Sequence, residues 1–586
     1  MTHDFPPMNF RRPAGRKSGA MLLALALGCW VHAAGGIGAD RPWTTCEAES
    51  MTTTGTVLGP KYGPFLVETE ASDQRCVQLG VGKYVEFIAP VAANTLVIRY
   101  SLPDAPQGGG RDGTLELLVN GRPLRTLPIT SRYSHLYGTY PFSDDPAKGK
   151  PRNFYDELRV KDLAIASGDR VRLRLASADV PSCIVDLVDL EVAPAPLAAP
   201  AGALSVLAFG AGGKGATDDT EAVRACIAAA SRQGGVVWVP AGDYKLTGDI
   251  VVPSGVTIQG AGMWHTTFVG DAALYPRPAR RVRFTLSGDH IRLHDFAIVG
   301  RLNYRNDSEP NDGIVGAGCV DSSIARIWIE HTKVGIWIYN GMRLRIAGCR
   351  IRDTLADGVN LCVGCNGCVV ENCSARGTGD DCFAIWPAPA DQGFRENHRP
   401  GDNVIRHCTG QLPFLANGGA LYGGANNRIE DCLFTDITAG CGILVSTTFP
   451  TSDEPGGVDN NFSGTTVVEN CRLIRCGGYD HDWAWRGALQ ICLDRRSISG
   501  LRISQLEVRD SFSDGITVIA PGGAKGEGTL ADTTLKDVVV LGIGLGNPPG
   551  RGLWVHDGAS GGLALIRSHI PEVRNDSGAF RILKQP

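Results

Sequence analysis

The sequence predicts an all-β chain in which a β-sandwich precedes a parallel β-helix. Three observations carry this. Gly supplies 75 of 586 residues, nearly twice the usual share of about 7%. Without a collagen period, that excess reads as many tight turns between many short strands. Between residues 44 and 192, short alternating runs are separated by turn signals. From about residue 236 onward, one short pattern keeps returning with a basic step of 24 residues.

Composition supports a packed protein and removes several classes. Hydrophobic residues make up 43% and charged residues 20%, the opposite of a disordered chain. The formal charge is −4 and no long basic run appears, so no nucleic-acid partner is expected. No apolar run reaches the ~20 residues of a membrane span. At roughly 100–200 residues per domain, the chain has room for two to four domains.

Residues 1–39 read as a secretory signal. Arg11, Arg12, Arg16 and Lys17 precede an apolar stretch from Ala20 to Val31, and small residues follow through Ala39. Cleavage after Ala33 or after Ala39 fits, and the mature protein is expected to be secreted. The context of Arg11-Arg12 is loose for a twin-arginine signal, and Ala26-Leu27 before Cys29 fits a lipidation site poorly. Without Cys29, 17 of the 18 cysteines remain. That odd number leaves at least one unpaired even in a compartment that permits disulfides. The run Cys362, Cys365, Cys368 has the gaps of a zinc knuckle. With no histidine nearby, turn chemistry and one local disulfide is the plainer reading.

In the front block, strands are expected at Tyr84–Ile88, Thr95–Tyr100, Thr114–Val119 and Arg170–Leu175, with turns at Asn120-Gly121 and Ser167-Gly168-Asp169. That pattern over residues 44–192 suggests a β-sandwich. Residues 193–202, rich in Pro and Ala, read as an interdomain linker. The β-helix is expected over 203–586. It opens with a helix that starts at Thr217-Asp218-Asp219-Thr220 and runs to about Arg232. Asp218 and Asp219 have capping roles there.

The repeat units are Leu344 to Cys349, Cys368 to Cys373, Asn403 to Cys408, Asn427 to Cys432, Thr466 to Cys471 and Leu501 to Leu506. Their final residues are 24, 35, 24, 39 and 35 positions apart, a 24-residue coil with insertions. Cys349, Cys373, Cys408, Cys432 and Cys471 then form one buried inward stack. Leucine-rich repeats are a poor match because the Leu spacing is wrong and helices are lacking.

That register singles out carboxylates. Asp357 lies eight residues past Cys349, and Asp381 lies eight past Cys373. On equivalent rungs of neighbouring parallel coils they sit about 4.8 Å apart. Two carboxylates so close repel, and one pKa should rise. Asp380 adds a third, and Gly377 and Gly379 can bend the chain so that both neighbours share a cleft. Asp514-Gly515 takes the same rung further along and reads as a turn or a distal contact. Clustered carboxyls suit glycoside hydrolysis, in which one gives a proton to the leaving oxygen and another activates water. The stacked pair Asp357 and Asp381 suits holding the water, and Asp380 suits the acid. Sugar rings stack on aromatic faces, so Trp386, Tyr422 and Trp483 are candidate substrate contacts, the last within the polar, aromatic insertion Tyr479-Asp480-His481-Asp482-Trp483.

Residues 203–270, with FGAGGKGATDDTEAV, GGVVWVPAGDY and VTIQGAG, resemble the opening of the pectate-lyase-like right-handed β-helices. Asp357 followed 23 residues later by Asp380-Asp381 in GDDCFAIW is similar to glycoside hydrolase family 87, the mycodextranases and α-1,3-glucanases. The resemblance implies inverting endo-hydrolysis of an α-glucan with 1,3 linkages by three aspartates, with Asp380 as the acid and no cofactor needed for catalysis. Polygalacturonases carry a similar trio, but their Gly-His-Gly and Arg-x-Lys motifs are missing downstream of Asp381. A polygalacturonase-like hydrolase or a lyase on another glycan is the alternative within enzymes. A non-catalytic glycan-binding β-helix is the alternative outside them. The front block resembles carbohydrate-binding modules of families 6 and 35 at Cys46-Glu47-Ala48-Glu49, Lys83–Phe87 and Val185–Leu190. That implies a structural Ca²⁺ held by Glu47, Glu49 and Asp189. A monomer acting on a polysaccharide is expected.

Overall fold

The computed structural model describes residues 36–140, 142–233, 235–387, 400–449, 461–482, 484–494, 496–521 and 528–586. Most of the signal-like stretch and Trp483 lie outside the described residues.

Residues 43–191 fold as two main antiparallel sheets, of six and five strands, with a smaller pair formed by His135–Tyr137 and Pro151–Asn153. Strands form at Tyr84–Ile88, Thr95–Ser101, Asp112–Val119 and Arg170–Leu175. In the last of these, Val171, Leu173 and Leu175 are buried, whereas Arg170, Arg172 and Arg174 face outward. This is the period-two alternation of a strand with one face on a core. Asn120 (φ 51°) and Gly121 (φ 78°) turn Asp112–Val119 into Arg122–Thr130. Two left-handed residues in a two-residue loop are what a type I′ hairpin requires.

The Pro/Ala stretch is not a free tether. Asn94 exchanges two hydrogen bonds with the backbone of Ala193, at 2.7 and 3.0 Å. The Leu197 N–H donates to the Ala261 carbonyl at 2.9 Å. His265 Nε2 lies 2.7 Å from the Pro194 carbonyl. The chain is pinned to the β-helix as it crosses, so the sandwich cannot swing. Buried ion pairs tighten the junction. Arg350 takes both oxygens of Glu191 at 2.7 and 2.8 Å, and Arg376 pairs with Glu157 and Asp189. The rings of Phe154 and Phe414 stack at 4.1 Å.

The β-helix opens with helix Thr220–Ser231. Val223, Cys226, Ile227 and Ala230 form its buried stripe, and it packs on Val206–Phe209, Val236–Val239 and Asp249–Pro253. Asp218 caps it by accepting from the Thr220 N–H at 3.0 Å. Asp219 differs from the expected cap: its carboxylate reaches back to the Gly212 and Gly213 amides.

Beyond the helix, coils add strands to two parallel sheets, one of 26 strands and one of 12. A representative coil gives Arg345–Ala347 and Arg350–Arg352 to the first and Val359–Cys362 to the second. Ile346, Val370, Ile405, Ile429, Val468 and Ile503 stack in register, so the six repeat units lie one above another. Cys349, Cys373, Cys408, Cys432 and Cys471 are all buried, and the Cys349 N–H points at Cys373 Sγ, 3.4 Å away. Cys362, Cys365 and Cys368 are free thiols. The run Cys362, Cys365, Cys368 therefore forms no local disulfide, and it forms no metal cluster either: Cys362 Sγ faces Asn360 Oδ1 and Cys365 Sγ faces the Ile338 carbonyl.

Candidate functional site

The pairing that stacks Ile336, Val359, Phe383 and Gly419 at the start of the twelve-stranded sheet places Asp357, Asp381 and Asn417 on one rung two residues earlier. The ladder continues into the turn: the Gly358 N–H donates to the Asp381 carbonyl and the Cys382 N–H to the Asn417 carbonyl, at 2.9 and 2.8 Å. Parallel strands fix that spacing, so the backbone forces the two carboxylates together. Asp380 joins them through a bend that starts at Gly377, whose φ of 72° an L side chain rarely adopts. At Gly379 a Cβ would come within 2.4 Å of the Leu355 carbonyl. Oxygens from Asp357, Asp380 and Asp381 lie within 4.8 Å of one another.

The three carboxyls have different surroundings. Asp381 is buried and best supplied with donors. Asn417 gives it a side-chain N–H at 2.7 Å and a backbone N–H at 3.1 Å, and the Tyr422 hydroxyl adds a third bond at 2.9 Å. Burial and the charge of Asp380 nevertheless push it up to about 7, against those donors. Asp357 receives one weak bond, from Asn360 at 3.2 Å. Burial, then Asp380, then Asp381 push it well above the usual carboxylate range, and Arg305 only partly opposes them. Asp380 is the open member, with its side chain 21% exposed, and Arg305 Nη2 meets it at 2.7 Å.

Arg305 had no signal in the sequence. It sits in the excursion between Val299 and Gly313, where it is held by the Gly379 carbonyl and by Asp307, both at 2.9 Å. The Tyr140 hydroxyl lies 3.2 Å from the same Nη2. Tyr140 belongs to the sandwich domain, and its ring also stands 4.7 Å from that of His481. The sandwich thus builds part of the site wall, and the insertion around His481 reaches the catalytic edge through it. Asn417 could have been found, because Asn417-Gly418 follows the Asp357-Gly358 pattern on a later coil.

The candidate sugar contacts divide. Trp386 ends the strand Phe383–Trp386, half-buried, with edge-on contacts to Trp337 at 5.7 Å and Phe449 at 5.3 Å. Tyr422 comes to the site in a different role. Its ring is buried against Phe449, and its hydroxyl serves Asp381. Asp514 does share the rung, but several coils away, with Arg551 at 3.7 Å. The calcium set is not assembled. Asp189 pairs across from Thr45, and its two oxygens are taken by the Thr45 hydroxyl and by Arg376. Glu47 and Glu49 instead lie beside Asp186 and Asp73, which raise them further once burial has done so. These three carboxylates do not fit one cation.

A β-helix with three carboxyls gathered on its coils is the architecture of a carbohydrate-active enzyme. Family models for α-1,3-glucanase catalytic domains D1 and D2 match residues 40–193 and 217–518, and the chain belongs to that family, glycoside hydrolase family 87. The crystal structure of the Agl-KA catalytic domain is similar, with a TM-score of 0.84 and 25% identity over 94% of this chain and 98% of that one. So is the catalytic unit of a thermostable GH87 α-1,3-glucanase from Streptomyces thermodiastaticus strain HF3-3, at 0.75 and 32% over 94% and 96%. Among curated proteins, alginate lyase 7 of Azotobacter vinelandii is 44% identical over 66 residues, 10% of this chain and 8% of its own. The pre-neck appendage protein of Bacillus phage phi29 is 24% identical over 287 residues, 46% and 30%. The chain thus spans less than a third of these two curated relatives. The D1 model counts the sandwich as part of a catalytic unit, in keeping with Tyr140 at the site; neither the match nor the structure makes it a separate sugar-binding module. Among the described residues, no helix is long and apolar enough to cross a membrane.

Proposed function

We propose that this protein is a secreted hydrolase of α-1,3-linked glucan that acts within the chain through Asp357, Asp380 and Asp381. The observation that carries the reading is the meeting of three carboxyl groups on adjoining coils, with oxygens within 4.8 Å, in a chain of this family. Solved relatives have been crystallised with nigerose and with tetrasaccharides. One of them was studied as three single aspartate-to-alanine variants at positions spaced by 23 residues and then one, the spacing of Asp357, Asp380 and Asp381.

Asp380 is the proposed acid because it is the carboxyl that a glycosidic oxygen can reach. Arg305 Nη2 holds that carboxyl group at 2.7 Å. The donor-poor Asp357 is the better resting store, and an oxygen of each lies within 4.8 Å of the other. In this scheme substrate binding shifts the proton from Asp357 to Asp380, which delivers it to the leaving oxygen. Asp357, ionised by that shift, deprotonates the water, and Asp381 orients it. The proposed outcome is inversion, although the oxygens are closer than the roughly 6.5–9.5 Å of ordinary inverting pairs. The water must therefore sit beside the cluster, above the Asp357–Asp381 rung, instead of between acid and base.

Purified protein should release reducing ends from α-1,3-glucan and nigeran but not from dextran or polygalacturonate. Activity on polygalacturonate alone, or unsaturated products, would overturn the substrate. Proton NMR of the first-formed anomer decides the stereochemistry. An α-glucosyl fluoride needs no acid to expel its leaving group, so Asp380→Asn should keep turnover on it while losing turnover on glucan. If Asp357→Asn shows that pattern instead, the acid has been misassigned.

A further inference from the structure

From Glu330 onward, successive coils leave the larger sheet through a residue in the left-handed region. Pairing of Glu330 with Arg352, and of Arg352 with Arg376, puts His331 (φ 54°), Asp353 (φ 48°) and Gly377 (φ 72°) on one rung of this second turn. The parallel spacing that compresses the catalytic carboxyls therefore also brings His331 beside Asp353. Asp156, first residue of the sandwich strand Asp156–Val160, arrives from the other domain. One ligating atom from each of Asp156, His331 and Asp353 lies within 4.8 Å of the other two. The residues are 2%, 7% and 6% exposed.

Their hydrogen bonds do not close. His331 Nε2 is 2.7 Å from Asp156 Oδ1, but His331 Nδ1 and Asp353 Oδ2 are buried without a partner, as is Oε2 of the adjoining Glu330. Asp353 leans over Gly377, where an added Cβ would meet its Oδ1 at 2.3 Å. The nearby cation Arg99 gives Nη1 to Asp186 and the Glu70 carbonyl, and its charge only partly offsets the rise of Asp353. The Tyr133 ring stacks on His331 at 4.4 Å and 23°, covering the imidazole. A buried carboxyl without a donor, beside a half-satisfied imidazole and further acids, is unfavourable unless a cation completes it.

We propose that Asp156, His331 and Asp353 form a closed site for a divalent cation of the zinc or manganese type, which pins the sandwich to the β-helix. An imidazole with carboxylates suits those ions, whereas calcium prefers an all-oxygen cage. Glu330 adds a further negative charge beside the site, which bears on both His331 and Asp353. Asp353 lies four residues before Asp357, so the ion braces the turn that carries a catalytic carboxyl without being part of the chemistry.

The test uses untagged full-length protein, stripped with EDTA, loaded with ZnCl₂ or MnCl₂, desalted and analysed by plasma mass spectrometry. About one ion per chain is expected, together with a melting temperature that climbs with metal concentration, as mass action requires. His331→Gln and Asp353→Asn should each lower ion content about ten-fold or more, and Asp381→Asn should keep it. Fewer than about 0.1 ion per loaded wild-type chain would overturn the proposal. So would loss of the ion in Asp381→Asn with retention in His331→Gln, which would move it to the catalytic trio. If the variants do not fold, wild-type stoichiometry and the melting response still decide.

Discussion

Asp381→Asn should make the protein more stable at neutral pH while abolishing its activity. The ordinary carboxyl value of 3.8 is pushed up to about 7 in the fold, by burial first and by Asp380 second. Between those two values the unfolded chain has released a proton that the folded chain still holds. Folded stability therefore falls as pH rises through that window. The loss is about 1.4 kcal/mol per unit, or ~4 kcal/mol by pH 7. Asparagine is neutral throughout and escapes it. The substitution also fits its neighbours. The side-chain oxygen can keep both Asn417 donors, and the new NH₂ can face the Tyr422 hydroxyl, which accepts as well as donates. A net gain of about 1–4 kcal/mol at pH 7, vanishing near pH 4, is expected. Urea unfolding midpoints of both proteins at pH 4 and pH 7 test it, with glucan turnover falling at least ~10²-fold. An Asn variant less stable than wild type at pH 7, or a difference independent of pH, would refute the reasoning.

Other perturbations separate the roles further. Arg305→Gln removes the cation that opposes the rise of Asp357; turnover should fall about 10²-fold through misplacement of Asp380, and the acidic limb of the pH–rate profile should move up, with Arg305→Lys recovering part of both. Tyr422→Phe deletes a donor that holds Asp381 down, so the same limb should shift upward by about one unit or less, with a melting temperature close to wild type. Trp386→Ala should raise KM about 2- to 10-fold on long glucans through lost stacking, leaving kcat nearly unchanged. Arg376→Met leaves Asp189 buried without its cation and Glu157 with Arg352 alone, and should cost about 3–5 kcal/mol in chemical denaturation, part of which Glu157→Gln restores in the double variant.

The β-helix and its carboxylate rung were legible because both are local and periodic. A 24-residue step between Cys349 and Cys373 carries Asp357 to Asp381 without any long-range information, and parallel pairing turns that interval into a distance. Tyr422 was only half legible. Its sequence position marks an aromatic near the site, but burial of its ring against Phe449 leaves the hydroxyl as the working group. The calcium set failed for another reason. Glu47, Glu49 and Asp189 look alike as acidic residues on sandwich strands, yet Asp189 is answered by Arg376, a partner 187 residues away in another domain. Arg305 and Tyr140 were invisible for the same cause: excursions without periodicity bring them to the site.

Charge distribution at the junction explains why the sandwich belongs to the catalytic unit. Glu157, Asp189 and Glu191 on the sandwich face Arg350 and Arg352 on one coil and Arg376 on the next. In isolation, either surface would carry a row of like charges on a sheet face. Exposed pairs of this kind would contribute little, but these are buried, so separating the domains would leave each row without its counter-charges, and each must be hydrated as it opens. That favours one fixed orientation over many. The orientation it fixes is the one in which Tyr140 stands over Arg305, and Arg305 holds Asp380 beside the Asp357–Asp381 rung. Positioning of the third carboxyl thus depends on a domain boundary that lies outside the repeat, which is how a regular solenoid with equivalent coils comes to have a single catalytic turn.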